Sequence, residues 1–131
     1  LRFMDKTTLT SRTPEIDSIL TRSVDQDVLA AVEQAIDSLN PGAALKPVCH
    51  LLWALNGFSS DAGREVAHMP TDGLLGRVAE RVRDLVALVW DLDDSYRALC
   101  AAPTIEALER VANDVAAVLA GHGVLLATWR N

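Results

Sequence analysis

Cysteine occurs only twice in 131 residues, at Cys49 and Cys100, and never as a Cys-x-x-Cys pair. A cysteine-held zinc and a disulfide scaffold are thereby excluded, and two reduced thiols point to a cytoplasmic setting. Lysine is equally scarce: Lys6 and Lys46 stand beside ten arginines, and the formal net charge is −6. No basic block exists to neutralise a phosphate backbone, so nucleic-acid binding is not expected. The three histidines, His50, His68 and His122, fall on different turns without an HxxxH pair. No metal or cofactor is expected. The N-terminal LRFMDKTTLTSRT has no apolar h-region, so a secretory signal is not expected. No uninterrupted apolar run reaches the length of a bilayer, so a membrane span is not expected either. Period-two alternation is missing throughout, which removes strands from consideration. Abundant alanine and the preference for arginine over lysine have the flavour of a high-GC bacterial genome.

Against these absences, half of the residues are apolar and 23% are charged, which is a globular composition. The apolar residues keep one beat. Leu75, Val78, Val82, Leu85, Val89, Leu92, Tyr96 and Leu99 are spaced alternately three and four apart, as are Leu45, Val48, Leu52, Leu55, Ser59, Ala62, Val66 and Met69. Thr104, Leu108, Val111, Val115, Val118, His122, Leu125 and Trp129 continue it, and Leu29, Val32, Ile36 and Leu39 carry a shorter version. Each set is an a/d heptad seam on one helix. Thr13-Pro14-Glu15 reads as a capped start with Ile16, Ile19 and Leu20 behind it, and Ser23-x-x-Gln26 as a capping box.

Asn40-Pro41-Gly42, Pro70-Thr71-Asp72-Gly73 and Ala101-Ala102-Pro103 break the beat. The reading is one all-α domain over 1–131, with 1–12 extended or flexible. It is an up-down-up-down antiparallel four-helix bundle with helices over about 14–39, 44–69, 73–100 and 104–129. Asn56-Gly57 and Gly121-His122-Gly123 interrupt two helices without losing phase, which predicts kinked but continuous helices. Val82, Leu85, Val89, Leu52 and Val115 are expected in the core.

Five features compete for function. Ser59 and His122 occupy seam positions at similar heights, which predicts a buried polar layer. That layer either fixes register or lines a ligand-binding or catalytic pocket around His122. Asp91, Asp93 and Asp94 spread around one helix and cannot converge on a divalent ion. Arg64 and His68, in REVAH, invite comparison with the Arg-x4–6-His motif of HEPN ribonucleases, but only three residues intervene here. His50, in CHLLWALNG, invites comparison with histidine-phosphotransfer domains, yet Trp53 and Ala54 stand where those carry Lys and Gly.

The fifth feature is the outer surface. Trp53 and Trp90 both fall at heptad position b, away from the seams, and Trp is enriched in binding hot spots. The last helix shows Ala116, Ala120, Gly123, Val124 and Ala127 outward, where a surface helix carries charge. These residues predict a non-enzymatic interaction module that binds a protein partner, or itself as a homodimer. Adaptor, immunity-type and effector-associated domains are all compatible with it.

Overall fold

The computed structural model describes residues 25–67, 69 and 71–130, and all of its regular structure is helical. Helix α1 spans Gln26–Asp37, α2 Pro41–Val66, α3 Gly73–Ala101 and α4 Ile105–Arg130. Their contacts are those of a four-helix bundle. The packing of α3 on α4 is the most extensive, followed by α2 on α3 and α1 on α2, with a smaller α2–α4 contact. Gly121 sits over Leu85 and Leu88, whereas Thr128 shares a cleft with Leu74, Arg77 and Arg81. Position falls along α3 as it rises along α4, so these two helices run antiparallel.

Capping chemistry sets the boundaries. Asp25 is extended and its carboxylate accepts from Asp27 N at 2.8 Å, so α1 starts at Gln26 with Asp25 as its cap, and Ser23 of the expected capping box lies outside the described residues. The expected helix from residue 14 is therefore broken at Asp25, and residues 14–24 lie outside the described residues. Asn40 Oδ1 accepts from Gly42 N and Ala43 N, and Pro41 stands at the first helical position. The apparent break Asn40-Pro41-Gly42 is thus a helix start, three residues earlier than the apolar beat implied. Thr104 Oγ1 accepts from Ala107 N at 3.1 Å and caps α4.

Two left-handed residues turn the chain between helices. Gly73 has φ 70, a conformation that only glycine adopts without strain. Leu39 has φ 55 just beyond the end of α1, and its side chain is 63% exposed. Glycine is the usual residue at such a helix exit. Helix α2 runs unbroken through Pro47, whose missing N–H leaves the carbonyl of exposed Ala43 to solvent. It also runs through Gly57, and α4 through Gly121 and Gly123.

The seams form one core. Val82, Leu85, Val89, Leu52 and Val115 are at most 5% exposed. Leu51, Phe58 and Ala44, at flanking position g of α2, join them, so α2 buries a wider stripe than a/d alone. Leu75 and Tyr96, although on the beat, are only partly buried.

Candidate interaction faces

Helix α4 is built with two opposite stripes. Leu108, Val111, Val115, Val118, Leu125 and Trp129 are buried in the core. On the far side Ala116, Ala120, Gly123 and Ala127 are all exposed, and Val124 beside them is 46% exposed. Ala117 is half-buried. Charge is confined to the first part of the helix, at Glu106, Glu109, Arg110 and Asp114, and returns only at Arg130. Individual apolar runs are short, yet averaged over its length the segment Ile105–Trp129 is long and apolar enough to cross a membrane. Only 22% of its most apolar window is buried. A helix this apolar normally lies mostly inside its own protein.

The second apolar feature is the pair of tryptophans. Trp53 on α2 is 69% exposed and Trp90 on α3 is 68% exposed. The Tyr96 hydroxyl lies close enough to the Cys100 and Cys49 thiols to feel both, which places Cys49 of α2 near Tyr96 and Cys100 of α3. These thiols, with partial burial, push the Tyr96 phenol above its ordinary pKa, Cys100 acting most strongly. Cys49 is partly buried and Cys100 exposed, so they edge the core rather than fill it.

This contact lies far from the 67–72 connection on both helices, so α2 and α3 double back on one another. Counting along each helix from the contact, Trp53 is one turn and Trp90 under two turns nearer the connection. At 1.5 Å per residue they differ in height by about 3 Å. Both occupy position b, beside the α2–α3 contact, so they flank one groove on the outside of the bundle. The ring of His50 packs on Trp53 with centroids 5.8 Å apart.

The seam polar residues are arranged differently. Ser59 is buried and its Oγ has no hydrogen-bond partner. His122 is half-buried and meets Phe58 edge to face, with centroids 5.6 Å apart. Ser95, a buried hydroxyl the seam pattern did not single out, donates to Leu92 O instead. Among the described residues no three His, Cys, Asp or Glu side chains converge on a point that could hold a metal ion. Asp93 pairs with Arg97, while Asp91 and Asp94 are exposed. The α3–α4 cleft, about 300 Å³, sets Arg77 and Arg81 beside the last turn of α4. Cations there complement the negative end of the helix dipole.

What the apolar beat did not reveal is the company the tryptophans keep. Lys46 precedes Trp53 by one heptad, and Arg83 and Arg97 bracket Trp90 by one heptad on either side. The signal was present as a seven-residue spacing on position b, outside the seams that define the fold. Comparison of the chain with protein families, curated proteins and solved structures finds no match.

Proposed function

We propose that this chain is a non-enzymatic helical-bundle interaction module, working in the cytoplasm, that binds a protein partner or a second copy through the outer face of α4. The observation that carries the reading is the mostly unburied stretch from Val115 to Trp129, without Asp, Glu, Lys or Arg, of an unusually apolar helix. Small residues there let another helix approach closely, and two-fold pairs are the commonest closed assembly. A bilayer is a poorer cover. Helix α4 packs along α3, and immersing α4 would draw the exposed Arg77, Glu80, Arg81 and Asp84 of α3 toward hydrocarbon.

Ala120→Arg tests this reading. Light scattering at several concentrations is expected to show the 14.1 kDa chain associating and the variant staying monomeric with an unchanged melting temperature. An unfolded variant would assign the face to the intramolecular core. A wild-type chain that is monomeric throughout and captures no partner sensitive to Ala120→Arg would overturn the reading.

A ligand-binding or catalytic bundle around His122 has one observation in its favour, the orphaned Ser59 hydroxyl. A buried hydroxyl with no partner costs about 1–3 kcal/mol. Under the interaction reading, Ser59→Ala relieves that cost and stabilises the fold by about 1 kcal/mol in a urea titration. Destabilisation instead would mean that the hydroxyl has a polar occupant to hold, and would favour the pocket.

A further inference from the structure

The groove between α2 and α3 has the chemistry of a binding site distinct from the α4 face. Its two flanking stripes read Lys46, Trp53, Ser60 on α2 and Arg97, Trp90, Arg83 on α3. Counted from the Cys49–Tyr96 contact, each residue of the first stripe lies within about 3 Å in height of its counterpart in the second. The tryptophans therefore form the middle rung, with cations above and below. All six residues are exposed.

Among the described residues Lys46 and Arg83 have no carboxylate partner, whereas Arg97 is held by Asp93. Carboxylates reappear one stripe further out on α3, at Glu80 and Asp94. In a chain of net charge −6, a central strip with three cations and one engaged acid is a local reversal of sign. The α2 side also has room above it: side chains added at Gly57 or Gly63 would meet nothing within 4 Å.

We infer that the α2–α3 groove docks an acidic amphipathic helix of a partner protein, with Trp53 and Trp90 as its apolar anchors and Lys46 and Arg83 pairing with the partner's carboxylates. A furrow between two antiparallel helices accepts a third helix, whose apolar residues recur every three or four positions. Trp anchors ringed by polar groups are the usual energetic centre of such contacts. The complementary charge raises the encounter rate and selects against basic partners. This inference rests on the reading of the chain as an interaction module, but it uses a different face.

Two synthetic helical peptides of about 18 residues test it, sharing a leucine face and carrying either Glu or Lys at all other positions. Tryptophan emission is a direct readout, because the third tryptophan, Trp129, is already buried. The Glu peptide is expected to give a saturable blue shift and to bind about tenfold or more tightly than the Lys peptide. Trp53→Ala and Trp90→Ala are each expected to weaken it about tenfold or more with the melting temperature retained. The double variant Lys46→Glu, Arg83→Glu is expected to reverse the preference between peptides.

Equal binding of both peptides, no binding at about millimolar peptide, or tighter binding of oligo-dT than of the Glu peptide would overturn the inference. The last outcome would mark a nucleic-acid surface. Ala120→Arg separates the two faces: peptide binding should survive it even where self-association is lost, and loss of both would place the site on α4.

Discussion

Leu85→Ala is expected to lower the free energy of unfolding by about 2–5 kcal/mol. Leu85 is 1% exposed on the α3 seam, and its Cδ1 lies 3.4 Å from where a Cβ on Gly121 would stand. Truncation removes buried methyl groups and leaves a cavity at the most extensive helix pair of the bundle. Neighbouring Val82 and Val89 are stiff β-branched residues in helix and cannot swing in to fill it. A urea titration compared at constant slope gives the number. A loss below about half a kcal/mol, far under the usual cost of such truncations, would mean that the seam does not meet α4 as described.

That prediction was legible from spacing alone, because an a/d position in the middle of a long heptad series has the core on one side and solvent on no neighbouring turn. Val82, Val89, Leu52 and Val115 follow the same logic and are buried. The flanks were harder to read. Whether position e or g is covered depends on which side each neighbouring helix lies, and no single helix encodes that. Leu51 and Phe58 at g of α2 are buried, while Asn56 at e is exposed.

The start of α1 was not legible from spacing because more than one residue ahead of the apolar beat has a capping side chain; the extended backbone of Asp25, whose carboxylate accepts from Asp27 N, sets it. The start of α2 was misread because Pro and Gly signal a break as readily as a first turn. The outward placement of Trp53, Trp90, Ala116, Ala120, Gly123, Val124 and Ala127 followed from heptad phase. The shared groove of the two tryptophans did not, since it needs the relative height of α2 and α3, which only the Cys49–Tyr96 contact supplies.

The same inter-helix distances make Gly121 and Gly123 opposites despite being two residues apart. A Cβ at Gly121 would stand 2.9 Å from Leu88 Cδ1, on the side of α4 that faces α3. Leu88 is half-buried and its terminal methyl can rotate away, so alanine there is accommodated. Leucine is not: three more carbons must enter a contact already closed by Leu85 and Leu88, and Gly121→Leu is expected to cost about 1–3 kcal/mol. Gly123 has nothing within 4 Å of its would-be Cβ and lies exposed. Gly123→Ala therefore meets no obstacle and gains the helical preference of alanine, a stabilisation of up to about 1 kcal/mol. Thermal unfolding of both variants at a concentration where the chain is monomeric reads the two effects without interference from association. If Gly121→Leu proves as harmless as Gly123→Ala, then α3 and α4 are not in close contact at this level. The outward phase of Ala116, Ala120 and Gly123, on which the proposed α4 interface depends, would then have to be redrawn.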